Sequence, residues 1–270
     1  MNFRAFIGAA LRGLKYQDVD YYRLLMRAML GNSRAARRIR LRCGTIDYLD
    51  ADSLFGQYEE IFAQRGYDFA SASGDPVIVD CGGNIGLSVL RFARLYPRAQ
   101  IDVYEADPRI AEMLRENLRR NGVSARIIAC AVADVNGEVN FRADGNDGGS
   151  IVRVGGIRVP AVRLVAVLPP RVDLLKLDIE GAEFSVLRDL CSSGAITRVR
   201  CIVGEFHLGV ETLAGFGRAL SDLESAGFSV VFPFARAAPD LPGLSLPTPF
   251  LRIPDGRCLL HFYGWRSGAA

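Results

Sequence analysis

Short apolar runs alternate with amphipathic stretches along most of this chain. Val77, Ile78 and Val79 form a wholly apolar, β-branched run, the pattern of a strand covered on both faces of a parallel sheet. Residues 87–96 then follow a helical period, residues 101–104 read as a second strand and residues 108–121 as a second helix. Pro108 suits the first turn of that helix and Gly122 its C-terminal stop. The alternation continues with strands over residues 125–130, 174–177, 201–205, 228–232 and 259–262, and helices over 183–191 and 216–226. Residues 139–142 and 157–162 read as extra strands flanking a Gly-rich loop. This pattern predicts an α/β fold, a Rossmann-like, doubly wound, mostly parallel sheet of seven strands with an antiparallel last strand.

The first 70 residues read differently. Up to about residue 40 apolar side chains recur at helical spacing, as in Tyr22, Leu25, Met26 and Met29. A basic run of Arg34, Arg37, Arg38, Arg40 and Arg42 follows, read as a solvated helix face leading into a strand; a patch for an acidic substrate or a membrane surface is the alternative. Gly44 and the polar stretch to Ser53 predict a turn, and residues 54–65 a helix packed on the main domain. The expected division is a helical extension over residues 1–70, capping the substrate side, and a main domain over residues 71–270.

Composition narrows the possibilities. Half of the 270 residues are hydrophobic and 23% are charged, enough for a core without disulfide support. A net charge of +3 argues against a nucleic-acid partner held by bulk charge. The six cysteines are scattered, none in a CxxC pair, and read as small buried hydrophobes rather than metal ligands. No run of about 18 apolar residues occurs, so no membrane span is predicted. The apolar run over residues 5–11 is short for a secretory signal, and a cytoplasmic protein is expected.

Candidate chemistry lies at the predicted strand ends, the edge where doubly wound sheets bind ligands. Asp80-Cys81-Gly82-Gly83-Asn84-Ile85-Gly86 joins the first strand to the first helix. Its glycines permit a tight turn and close backbone approach, and the helix start favours an anion such as a phosphate or an amino-acid carboxylate. Asp80 would repel a pyrophosphate but suits an amino group or a sulfonium, which favours a cationic cofactor, S-adenosylmethionine, over a dinucleotide. Glu105 ends the second strand, where an acid accepts hydrogen bonds from ribose hydroxyls. Asp107 is read as the cap of the next helix. Ala131, in the small apolar step after the third strand, suits an adenine ring; Asp134 either reaches the adenine amino group or starts the turn to Gly137.

The block Asp173 to Glu183, DLLKLDIEGAE, places four acids and Lys176 around a buried strand, with Lys176 and Asp178 on one face. Glu183 is read as helix-dipole charge. Together with VDCGGNIG and VYEADP, this block resembles the FkbM-type methyltransferases, over roughly residues 40 to 235 including the segment from Arg42 to Tyr67. The family's pattern has a small apolar residue and alanine where this chain has Cys81 and Gly83. Ala106 replaces the first of two prolines, and Pro108 matches the second. The resemblance implies a class I S-adenosylmethionine-dependent methyltransferase domain, acting mostly on hydroxyls of sugars, polysaccharides or secondary metabolites. It also implies that the end of the fifth strand, Glu205-Phe206-His207, faces a small-molecule or glycan acceptor.

Methyl transfer needs an aligned acceptor oxygen and a route for its proton. His207 is the expected base, with Glu205 or Asp178 orienting it or the acceptor. In a sharper variant Asp178, Glu205 and His207 hold Mg2+ or Mn2+. Two alternatives remain: an NAD-type oxidoreductase sharing the Gly-rich turn and Glu105, and a non-catalytic module that binds the cofactor only. The polar loop over residues 144–150 is a candidate lid or a plain hairpin connection, and residues 239–254 a candidate lining of the acceptor pocket. His261, in the last strand, is read as structural.

Overall fold

A computed structural model describes residues 3–30, 37–143, 149–208, 212–237 and 258–266. The main sheet contains β3 (Val77–Cys81), β4 (Gln100–Tyr104), β5 (Arg126–Ile128), β10 (Val172–Leu177), β11 (Val199–Leu208), β12 (Phe228–Ala237) and β13 (Cys258–Arg266). Their spatial order is β12-β13-β11-β10-β3-β4-β5. β4, β3, β10 and β11 run parallel, while β13 lies antiparallel between β11 and β12. The expected seven strands and reversed last strand are therefore present. Strand order reverses between β3 and β10, and ligands bind such sheets at that point. The turn after β3 and the acids after β10 consequently share one edge.

Helices α4 (Leu87–Leu95), α5 (Pro108–Arg120), α7 (Glu183–Ser192) and α8 (Leu213–Ser225) cover the sheet, and a short α6 (Leu164–Val167) precedes β10. β10 is buried at every position, as its unbroken apolar run with one lysine requires. Pro108 begins α5, and Asp107 caps it by accepting the amide of Arg109.

Two regions depart from expectation. The predicted strand over residues 125–130 breaks: Cys130 donates its amide to Ile128, and β6 (Ala131–Ala133) leaves the main sheet to pair with β9 (Ile157–Arg163). With β7 (Gly137–Ala143) and β8 (Gly149–Val152), these strands form a second sheet of order β6-β9-β7-β8. In the N-terminal segment, α1 (Phe3–Gly13), α2 (Val19–Met29) and α3 (Ala51–Tyr58) are helical, and α3 runs on into a π-helical turn, Glu59–Ala63. Between them, however, β1 (Arg37–Leu41) and β2 (Gly44–Tyr48) form a hairpin where a helix face leading into a strand, and then a turn, were expected. Its burial alternates: Ile39 and Leu41 point inward, Arg38 and Arg40 outward, so the arginines occupy the solvent side of a strand. Asn117 of α5 and Asn121 at its C-cap accept the amides of Asp47 and Thr45, which docks the hairpin on the main domain. Tyr48, Leu54 and Phe55 share an apolar cluster with Ile78, Phe92 and Leu114.

Candidate active site

At the reversal point an open-mouthed cleft lies along the carboxyl ends of the strands. Gly82, Asn84 and Glu105 line it on the side of β3 and β4, and Asp178, Ile179 and Glu180 on the side of β10. Ala131 and Val132 add an apolar wall, continued by Phe141 and Ile151 of the second sheet. These last two were not singled out in the sequence, because nothing local in β7 and β8 shows which face meets the cleft.

The Gly-rich turn works by fit. Gly82 has φ +89°, and a Cβ there would stand 1.8 Å from the carbonyl oxygen of Asp178. A Cβ on Gly83 would meet Val103 at 2.2 Å, and Gly86 caps α4 with φ +97°. The amides of residues 82 to 86 are already satisfied within the protein. Gly82 and Gly83 donate to Tyr104, Asn84 to Glu105, Ile85 to the Asn84 side chain and Gly86 to Gly83. The turn itself thus offers close backbone approach, its own amides being engaged within the protein, while the helix that follows starts at Leu87.

Glu105 is held with its carboxylate spread between two amides, Asn84 at 2.9 Å and Asp107 at 2.8 Å. Burial pushes its pKa up to about 7, against the pull of those amides. Asp80 is fully buried and outside the residues lining the cleft. One of its oxygens is 3.1 Å from Nζ of Lys176, and the other accepts the Ser88 hydroxyl at 2.5 Å. Burial raises its pKa, opposed by Lys176 and Ser88. Lys176 also donates to the carbonyl of Gly82 at 2.8 Å. The buried pair therefore fastens the Gly-rich turn to β10, so Asp80 acts on the cleft through Lys176. Asp134 is exposed and outside the lining, in the position of a turn residue.

The other half of the site is a chain of polar side chains from distant segments. Asp178 lines the cleft with its carboxylate 3.3 Å from the hydroxyl of Tyr67, which donates to it, and 3.7 Å from Nζ of Lys176. The Tyr67 ring lies 5.3 Å from that ammonium and stacks on His261 at 5.5 Å. His261 donates from Nε2 to the carbonyl of Gly66 at 2.8 Å and faces Glu60 at 3.1 Å through Nδ1. It thereby ties β13 to the N-terminal segment. Glu205 is buried in β11 directly opposite His261.

His207 sits between two carboxylates, with Nδ1 2.9 Å from Glu183 and Nε2 3.2 Å from Glu180. Burial lowers its pKa, but the bond to Glu183 and the charges of Glu183, Glu180 and Asp178 prevail and push it up to about 10. Both ring nitrogens of His207 are thereby engaged by carboxylates, an arrangement that favours the imidazolium form. Glu183 is more than helix-dipole charge: fully buried, it accepts the amides of Ile179 and Gly181 as well as His207. It shapes the turn in which Glu180 adopts φ +55°. Donor atoms of Asp178, Glu205 and His207 all lie within 4.8 Å of one another. Of the candidate lid over residues 144–150, Gly149 and Ser150 belong to β8, and residues 144–148, like the segment 239–254, lie outside the described residues.

The model of the methyltransferase FkbM domain matches residues 80–230, more than half of the chain. The chain belongs to this family. It is 30% identical over 172 residues to methyltransferase sdnD of Sordaria araneosa, covering 48% of this chain and 66% of that protein. With the 2-O-methyltransferase NoeI of Sinorhizobium fredii it shares 31% over 157 residues, 49% of this chain and 63% of the relative. The 31-O-demethyl-FK506 methyltransferase FkbM of Streptomyces tacrolimicus is 28% identical over 243 residues, 74% of this chain and 91% of that protein. The chain thus spans slightly less than two thirds of the first two relatives' length. The matched span includes the Gly-rich turn, Glu105, Asp178, Glu205 and His207. Among the described residues no helix is long and apolar enough to cross a membrane.

Proposed function

We propose that this chain transfers the methyl group of S-adenosylmethionine to a hydroxyl oxygen of a sugar, polysaccharide or glycosylated metabolite. The observation that carries the reading is the division of the cleft between an apolar wall with a ribose-type acid, Glu105, at one end and the acid Asp178 at the other. Family membership and two relatives whose names specify O-methylation support oxygen as the acceptor.

When bound, S-adenosylmethionine supplies an electrophilic methyl group on a sulfonium. Glu105 accepts hydrogen bonds from the ribose hydroxyls, and Ala131, Val132, Phe141 and Ile151 exclude water from the adenine side. Gly82 and Asn84 let the backbone approach the ligand, with Gly83 and Gly86 shaping the turn beneath. Asp178, beside Lys176 and oriented by Tyr67, receives the acceptor hydroxyl and its proton. Protonated His207, held by Glu180 and Glu183, contributes positive charge where oxyanion character develops. The N-terminal segment caps the acceptor side through Tyr67.

A second reading concerns a divalent cation. Asp178, Glu205 and His207 fit Mg2+ or Mn2+ by donor chemistry and proximity, and Glu183 on Nδ1 would orient His207 with Nε2 toward the ion. The ion would take the place of the His207 proton and lower the pKa of the acceptor hydroxyl.

The test is a mass-spectrometric screen for the gain of one methyl group on candidate glycans and glycosides, with the wild-type chain and Asp178→Asn. Gain with the first and loss of at least about 100-fold in rate with the second is expected. Methylation of amines or thiols but no hydroxyl would overturn the oxygen assignment. Unchanged activity after chelation would exclude the cation.

A further inference from the structure

The N-terminal helices carry a surface that the cleft does not use. Ile7, Leu11 and Leu14 recur at helical spacing along α1 and its end, all exposed, the latter two to 63% and 68%. On α2, Tyr21, Leu24, Leu25 and Ala28 face the core, whereas Val19, Met26 and Leu30 face outward, Leu30 to 82%. These six account for almost half of the large apolar side chains exposed among the described residues. Nor is α1 loosely placed: Tyr21 donates to the carbonyl of Ala9 at 2.8 Å, and Arg12 pairs with the buried Glu59 at 2.7 Å. The outward leucines therefore belong to a helix anchored by its other face.

The same region is strongly basic. Residues 1–50 carry ten Arg or Lys against Asp18, Asp20, Asp47 and Asp50, a net +6 in a chain whose total is +3; the rest of the protein is net negative. A shallow groove lined by Val19, Tyr22, Arg23, Met26, Arg27 and Ile39 brings the two characters together, and Arg23 reaches the backbone of Arg40 in β1. Lys15, Arg40 and Arg42 are exposed, and none of their side chains forms an ion pair with a carboxylate among the described residues.

We propose that α1, α2 and the outer edge of β1 dock this protein on an anionic lipid bilayer surface. Aliphatic side chains on an anchored helix, rimmed by Arg and Lys, match the boundary between acyl chains and acidic headgroups. A second copy would bring the same positive surface against itself, which opposes self-association. Nucleic acid would find few exposed aromatic platforms beside the arginines. Arg23, paired with Asp20, and Arg27, donating to the Tyr48 hydroxyl, border the face from which Met26 and Leu30 enter the apolar layer, and Lys15, Arg40 and Arg42 supply the charge toward the headgroup phosphates.

The experiment is co-sedimentation of the full chain with vesicles of phosphatidylcholine alone and of phosphatidylcholine mixed with phosphatidylglycerol. Binding to the mixed vesicles, absent on the neutral ones and weakened at least about tenfold by high salt, is expected. Leu11→Ser/Leu14→Ser and Arg40→Glu/Arg42→Glu should each weaken it by about tenfold or more, with thermal melts unchanged because all four positions are exposed. Arg115→Gln on α5 serves as a control and should bind like the wild type. No binding, equal binding to neutral vesicles, or retention by both double variants would overturn the proposal. So would a dimer in light scattering that Leu11→Ser/Leu14→Ser dissociates, or binding to single-stranded DNA without binding to vesicles.

Discussion

The two halves of the cleft are built by different means. On the cofactor side, β3, β4 and the turns after them supply Gly82, Asn84 and Glu105 within 24 residues, held by backbone bonds and close packing. On the acceptor side, Tyr67, Asp178, Glu205, His207 and His261 come from segments almost 200 residues apart and are held by side-chain contacts and ion pairs. The first half is a rigid mould whose failure is steric. The second is an electrostatic assembly whose failure should depend on pH and propagate among its members.

The largest effect should come from the mould. Gly82→Val would force a side chain into the carbonyl of Asp178 at a positive φ, destabilising the fold by about 3 kcal/mol or more and abolishing ligand binding. Thermal melting with calorimetry checks both.

Next is Glu183→Gln, which strikes the assembly. It weakens the bond to His207 and the acceptors for Ile179 and Gly181, costing about 2–4 kcal/mol. His207 should then titrate nearer its ordinary value, read by NMR of the imidazole. The sign in the wild type is fixed: with its pKa raised to about 10, His207 contributes stability that is full below about 6.5 and lost as pH rises through 10.

Glu105→Gln should weaken S-adenosylhomocysteine binding by about 10- to 100-fold, the range of a hydrogen bond to a charged acceptor. In the wild type the ionised carboxylate is the stronger acceptor for ribose hydroxyls, so affinity should fall as pH drops below about 7. Protonation in the ligand-free state stabilises that state over the same interval, and the glutamine variant should lose the dependence. Tyr67→Phe keeps the ring between Lys176 and His261 but removes the donor to Asp178. About 0.5–1.5 kcal/mol of stability should be lost, with the pH–rate profile shifted and cofactor affinity unchanged. Smallest of all, Asp134→Asn should change cofactor affinity by less than about twofold, since the side chain is exposed outside the cleft.

The same contrast explains what could be read from the amino acids alone. The strands, the Gly-rich turn and Glu105 were legible because each is a local pattern. An apolar run, positive-φ glycines and an acid at a strand end carry their meaning within a few residues. Asp178 and His207 could be singled out as acids and imidazole at strand ends. Their partners could not, because the contact between His207 and Glu183 depends on how the turn at Glu180 folds back. Tyr67 and His261 reach the site across the sheet from opposite ends of the chain, and no spacing encodes that. The hairpin of β1 and β2 was missed because its arginines alternate with only two core residues, Ile39 and Leu41, too short a period to tell from a helix face. Lys176 showed its position but not its task, since a buried lysine acquires meaning only from Asp80 and the Gly82 carbonyl beside it.

Isothermal titration of the wild-type chain with S-adenosylhomocysteine and, separately, with NAD tests the central claim most directly. Saturable one-site binding of S-adenosylhomocysteine, weakened in Glu105→Gln, with no heat from NAD is the predicted result. Saturable NAD binding with none of the homocysteine nucleoside would contradict the assignment of the cleft.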